Sequence, residues 1–239
     1  MEHTLLSVQH LNAWYQKDKR ILKDLSFGLQ EHEVVGLIGL NGAGKTTLLK
    51  WLSGLLDSYE VEAISLQGCA VGLKKNAFKK ERYTVFSDDQ AFGYFTFEEY
   101  LSYVFDSYGK KKVDVESLVQ GFHFEEYRNV LIKDLSLGNK KKVFLITAFA
   151  LKPELLLLDE PVNGLDFQST EFLYQLISEY RAYGTVLFSS HILESITLTS
   201  DRVLVLQEGS ISKTFEQDEI DAVKIREVLK VEELHESVQ

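Results

Sequence analysis

The run GLIGLNGAGKTT places Gly39, Gly44, Lys45 and Thr46 at the spacing G-x-x-x-x-G-K-[ST], a pattern that builds a phosphate cradle. The stretch Gly39, Asn41, Gly42, Ala43 and Gly44 can turn its backbone N–H groups inward around phosphate oxygens, because glycine adopts conformations that a side chain forbids. A helix beginning near Thr46 would aim its positive end at the same oxygens. Lys45 then reaches the β- and γ-phosphates, the Thr46 hydroxyl ligates magnesium, and Thr47 adds a hydrogen bond to the α-phosphate. The chemistry implied is binding of a nucleoside triphosphate, ATP with Mg2+. The alternative reading, a flexible glycine loop ahead of a helix, leaves the lysine and both threonines unexplained.

A second site, an acidic pair, follows four leucines in LLLLDE. Such a run reads as a strand buried on both faces, with Asp159 and Glu160 emerging at its carboxyl end, where parallel sheets place their ligands. Asp159 suits the magnesium shell. Glu160, one residue on, is placed to orient or deprotonate an attacking water, which phosphoryl transfer requires of its protein. Two solvated acids at an ordinary strand end would look the same in isolation.

The elements that must position these groups can be read from periodicity. Residues 34–38 form an apolar strand feeding the glycine loop, preceded by the β-rich runs LLSVQHL and ILKDLSFGL. Leu48, Leu49, Leu52, Leu55 and Leu56 recur at helical spacing and predict one packed helix face with Gly54 inside it. Strands are expected at 61–66 and 83–86. A helical stretch then runs from 97–108 towards Gly121 and Val130. Beyond it come a helix at 140–151, the LLLLDE strand, a helix at 169–182 and a second buried strand, TVLFSSH. This alternation of strand and helix is what a parallel α/β sheet requires. The hairpin VLVLQEGSISKTF turns at Glu208 and Gly209, and an acidic amphipathic tail occupies 217–239.

Composition narrows the function classes. The 239 residues are 45% apolar and 26% charged, the balance of a folded globular chain with room for a large core. A formal net charge of -10 argues against a nucleic-acid partner, which needs a surplus of Lys and Arg on one face. The single cysteine, Cys69, cannot pair internally and reads as a buried thiol in a reducing compartment. The N-terminus lacks the apolar core of a secretion signal, and the longest apolar tract, 143–158, is interrupted by Lys152, Pro153 and Glu154. Any membrane role is expected to run through a partner.

In this order the motifs resemble the nucleotide-binding domain of an ABC transporter over nearly the whole chain. KDLSLGNKKKV, with Ser136 and Gly138, is similar to the family signature LSGGQ; PVNGLD, ending in Asp166, is similar to its D-loop; and SSH, ending in His191, is similar to its switch histidine. Tyr15, or alternatively Trp14, stands where the family stacks a ring on adenine. The resemblance implies one α/β P-loop domain spanning 1–239, with an N-terminal antiparallel β subdomain, a helical subdomain inserted at about 87–134 and the acidic tail at 217–239. It also implies two such domains meeting head to tail. Lys45, Glu160 and His191 would serve catalysis, and Thr46 and Asp159 the metal. Ser136 and Gly138 would contact the partner's γ-phosphate, with Asp166 coupling the two sites. The implied partners are a transmembrane permease and a second ATPase copy, identical or homologous, at the inner face of the cell membrane, in an arrangement most similar to ABC-2-type exporters.

Three features depart from the family pattern or stay open. Ser87 aligns with the family's Q-loop glutamine, leaving Gln90 three residues late, so the relay falls to Gln90, Ser87 or Asp88. Leu137 and Asn139 replace Gly and Gln in the signature. The aromatic residues Phe92, Tyr94, Phe95, Phe97, Tyr100, Tyr103, Phe105 and Tyr108 either line a groove for the permease or pack the insertion's own core. Two competing functions share these motifs: a soluble ABC ATPase acting on ribosomes or DNA, and a nucleotide-binding regulator that no longer hydrolyses.

Overall fold

The computed structural model describes residues 3–17, 19–87 and 92–236, with side chains at all of these but 77 and 230–236. A long hairpin opens it, β1 (Thr4–Gln16) against β2 (Lys19–Gln30). Leu6, Val8, Leu11 and Ala13 of β1 are all buried, although the step from Val8 to Leu11 breaks the two-residue alternation. The register shifts between those same residues, and His10 takes a left-handed φ of 54°. This bulge absorbs the odd residue and keeps the apolar set on one face.

The chain continues through β3 (Val34–Ile38), α1 (Lys45–Leu52), β4 (Tyr59–Glu60), β5 (Ala63–Leu66), β6 (Cys69–Ala70), α2 (Asn76–Glu81) and β7 (Arg82–Val85). Then come α3 (Phe97–Tyr108), α4 (Glu116–Gly121), α5 (Leu137–Leu151), β8 (Leu155–Asp159), α6 (Phe167–Glu179), β9 (Thr185–Ser190), α7 (Leu193–Thr199), β10 (Arg202–Gln207), β11 (Ser210–Glu216) and α8 (Ala222–Glu236). One sheet is antiparallel in the order β2-β1-β5-β6, with β4 also on β1. The other runs β11-β10-β3-β9-β8-β7, parallel throughout except for β11 at its edge.

The parallel sheet divides the core. Val34, Ile38, Leu156, Leu158, Val186 and Phe188 face the helical layer with Phe97, Leu101 and Phe144. Val35, Leu37, Leu155, Leu157 and Leu187 face α1 and the antiparallel sheet. Strands apolar on both faces are what a sheet covered on both sides needs, and the expected mixed α/β architecture is the one observed.

Local signals explain several boundaries. Thr96 and Glu99 form a reciprocal capping box at the start of α3, and Gly109 closes it at φ 66°. Ser136 caps α5, whose end at Lys152 (φ 49°) lies just before Pro153. Other expectations fail. Helix α1 stops at Leu52 because Gly54, at φ 73°, terminates it, and Leu55 is 66% exposed instead of on the packed face. Cys69 is exposed, since β6 is a two-residue edge strand. The stretch after α3 is broken, with α4 only six residues long and 3-10 turns at Glu125–Tyr127 and Ile132–Asp134. The helix expected from 140 begins at Leu137, one residue after Ser136. Tyr15, the candidate stacking residue, lies near the end of β1.

Candidate functional site

The carboxyl ends of β3, β8 and β9 converge at the point where the strand order reverses around β3. Residues 39–46 leave β3 and curl about the Lys45 ammonium, which donates to Gly39 O at 2.7 Å and Leu40 O at 3.3 Å. Gly42 and Gly44 take φ values of 88° and 110°, which only glycine adopts without strain. Gly39 is fixed by its neighbour: a Cβ there would lie 2.2 Å from Leu206 O of β10. The turn between β10 and β11 ties the antiparallel sheet to this loop, with Lys23 N donating to Gly209 O (2.9 Å) and Gly209 N to Ala43 O (3.2 Å). Gly209 was absent from the sequence-derived site, although a Cβ on it would lie 2.0 Å from Ile21 O.

Asp159, 1% exposed, gathers three hydroxyls. Thr46 Oγ1 stands 3.1 and 3.0 Å from its two carboxylate oxygens, Ser189 Oγ 2.7 Å from Oδ1 and Ser87 Oγ 3.3 Å from Oδ2. The Thr46 and Asp159 oxygens thus stand where they would join phosphate and water oxygens around Mg2+, an ion that usually takes few ligands from protein. No group of three or more His, Cys, Asp or Glu with the geometry to hold a metal ion occurs among the described residues. Ser87 therefore does reach the acidic pair, whereas Asp88 and Gln90, the other relay candidates, lie outside the described residues.

Glu160 has a left-handed φ of 46°, a conformation that costs a residue with a Cβ roughly 1 kcal/mol. Its main chain is held at both ends. Glu160 N donates to Ser189 Oγ (2.9 Å), while its carbonyl accepts from Lys141 Nζ (2.8 Å) and Asn163 N (3.2 Å). The carboxylate, 13% exposed, points between Lys45 Nζ at 3.7 Å and His191 Nδ1 at 2.7 Å. The structure thus brings Lys45, Thr46, Asp159, Glu160 and His191 into one cluster. Ser189 and Lys141 join it unannounced; the only sequence cue for Ser189 was the hydroxyl pair ahead of His191.

Ser136, Gly138 and Asp166 form a second group. Ser136 caps α5 by accepting from Asn139 N (3.3 Å), and its own position is exposed. Gly138 presses on the loop after β8 so closely that a Cβ would lie 2.2 Å from Gly164 O. Asp166 caps α6 through Ser169 N (2.9 Å) and pairs with Lys142 Nζ (2.7 Å). Burial pushes the Asp166 carboxyl up, but the Lys142 ammonium and the Ser169 donors outweigh it and hold the group well below the usual carboxylate range. No hydrogen bond or ion pair joins Ser136 or Gly138 to Lys45 among the described residues. Tyr15 is 54% exposed near the tip of the first hairpin, while Trp14 beside it is half-buried.

The aromatic residues differ in burial. Phe97, Tyr100 and Phe105 are buried in the core, whereas Tyr94 and Tyr103 are 78% and 48% exposed. An open groove of about 650 Å3 runs from Thr46, Ser87 and Asp159 between α1 and α3, past Lys50, Arg82 and Tyr108. No helix among the described residues is long and apolar enough to cross a membrane.

The chain is similar to several known proteins. The family model described as "ABC transporter" matches residues 22–163. AlbC of Bacillus subtilis (strain 168) is 36% identical over 217 residues, covering 88% of this chain and 91% of its own length. NatA, an ABC transporter ATP-binding protein of the same strain, is 33% identical over 217 residues, 87% of each chain. A solved structure, described as an ATP binding subunit of an ABC transporter, superposes with a TM-score of 0.85 at 29% identity, over 95% of this chain and all of the other.

Proposed function

This chain belongs to the ATP-binding proteins of ABC transporters, and on that premise we propose that it hydrolyses magnesium-bound ATP between two head-to-tail copies to power export through a separate permease. The observation that carries this reading is Glu160, a shielded carboxylate set one residue beyond Asp159 and held between Lys45 and His191. A carboxylate fixed beside the phosphate loop can orient and deprotonate a water in line with the γ-phosphate. Lys45, now bound to carbonyls of its own loop, would transfer its donors to the β- and γ-phosphates. Asp159 and Thr46 would hold the metal, which when bound neutralises charge developing on the phosphate oxygens.

Ser136 is exposed at the start of α5 and makes no hydrogen bond to Lys45 among the described residues, so it is open to a nucleotide on another chain. An anion at that helix start would gain from unpaired N–H groups. His191 would sense the γ-phosphate at its own chain's phosphate loop through its contact with Glu160, and Asp166, exposed beside α5, would couple one site to the other. The helical insertion at about 87–134, with Tyr94 and Tyr103 on its surface and the groove beside α3, is the permease-facing part of this reading. Membrane location at the inner face follows from that partner. Export is favoured over import by the similarity to ABC-2-type subunits.

The test compares two variants of the purified chain. Lys45→Ala should lose ATP binding. Glu160→Gln should bind ATP as the parent does and turn it over about 100-fold more slowly, the scale seen when one transition-state group is removed. Full turnover in Glu160→Gln would remove the assigned base.

A further inference from the structure

Lys141 is buried to 4% exposure, yet the chemistry above makes no use of it. Its ammonium crosses from α5 to donate to the Glu160 carbonyl at 2.8 Å. Glu160 is the residue whose backbone is strained, at φ 46°, and whose carboxylate must keep its direction between Lys45 and His191. A left-handed residue with a side chain persists only where its surroundings over-determine it. Here Ser189 holds its N–H, and Lys141 and Asn163 hold its carbonyl.

The position of Lys141 on α5 gives this contact a second consequence. Ser136, which caps the helix, lies five residues earlier, roughly 7.5 Å along the axis. A helical turn and a half is stiff on that length, so displacement at the helix start is carried to the lysine. Lys142, the next residue, binds Asp166 at 2.7 Å on the loop that leaves Glu160. The first turns of α5 and the segment from Glu160 to Asp166 that follows β8 are thereby joined twice.

We infer that Lys141 is a positioning residue: it fixes Glu160 in its left-handed conformation and links the signature-bearing helix to the group that activates water. The inference rests on the role proposed for Glu160. Anion capture at the start of α5 then bears directly on the geometry of Glu160 in the same chain, and so on the other of the two nucleotide sites. Lysine is suited to the task because its long apolar stem can lie in the core while its ammonium delivers a charge-assisted bond to a carbonyl.

The test uses the full chain with Lys141→Met, which keeps the length and removes the donor, and Lys141→Arg, which restores a donor. ATP affinity should match the parent in both, while turnover in Lys141→Met should fall about 10- to 100-fold, the size of one hydrogen bond to a charged group. Lys141→Arg should recover most of the loss. A purely structural role would instead lower affinity, turnover and melting temperature together in Lys141→Met, and that pattern would overturn the inference. Hydrogen exchange at the Glu160 and Asn163 amides provides an arm that needs no turnover: it should quicken in Lys141→Met and be restored in Lys141→Arg. Unchanged exchange, or parent-like turnover in Lys141→Met, would also overturn it. A parent chain without turnover but with the expected exchange pattern would keep the positioning role and sink the hydrolytic reading instead.

Discussion

Replacing Gly138 with alanine adds one methyl group at a very close backbone approach. An ideal Cβ there lies 2.2 Å from Gly164 O and 3.3 Å from its carbonyl carbon, where real Cβ contacts essentially never fall under 3.0 Å. The first turn of α5 and the Gly164 loop must therefore part by roughly 0.8 Å. The loop has little slack, because Leu165 N is bonded to Val162 O and Asn163 N to Glu160 O, both at 3.2 Å. Overpacking of this kind costs about 1–3 kcal/mol, and a chain of this size loses about 2–4 °C of melting temperature per kcal/mol. The displacement falls where Ser136 is proposed to meet the partner's phosphate, and a misplacement near 1 Å at a reacting centre costs on the order of 100-fold in rate. Fluorescent ATP should bind Gly138→Ala as it binds the parent, since the phosphate loop is untouched. ATP turnover should fall by about that 100-fold factor. Parent-like turnover in Gly138→Ala would refute the reasoning, because it would mean that the start of α5 takes no part in hydrolysis.

Two further outcomes follow from single contacts. Because the Asp166 carboxyl titrates below its unfolded value near about 3.9, its contribution to stability is fully present above that pH and lost as the pH falls below it. Asp166→Asn should therefore lower the melting temperature equally at pH 7 and pH 5.5 and by less near pH 3; an equal loss at all three would point away from the Lys142 pair. Tyr15→Ala should weaken ATP binding by about 5- to 100-fold, the range for loss of one base-stacking ring. Trp14→Ala should leave affinity nearly as it was, and the reverse ranking would make Trp14 the stacking residue.

Much of the fold and the nucleotide cluster could be read from the sequence because those segments carry redundant signals. The four leucines before Asp159 fit a strand covered on both faces, bounded by Pro153 and Pro161, and the glycine loop sits between a strand and a helix as its chemistry demands. Other features lacked such redundancy. Leu55 and Leu56 continue a helical period past Gly54, so spacing alone extended α1 beyond the glycine that ends it. Cys69 reads as a core residue by type, yet it stands on an edge strand of two residues. The run Lys140, Lys141 and Lys142 carries no spacing that points to a partner, but α5 is buried nearly all round, and two of those lysines fold inward to bind Glu160 and Asp166. Ser189 showed no spacing pattern that could assign it to Asp159. Its role appears only once β8 and β9 lie side by side in register, Asp159 opposite Ser189.

The central claim is that the complete hydrolytic site needs two chains. Light scattering on the Glu160→Gln chain tests it most directly, because slow hydrolysis should trap the closed state. Without nucleotide the mass should be that of one 27.3 kDa chain, and with saturating ATP and magnesium it should be about twice that. A mass that stays at 27.3 kDa in ATP, together with a specific activity of the parent chain that does not change with protein concentration, would contradict the account. It would place the entire catalytic machinery within a single copy.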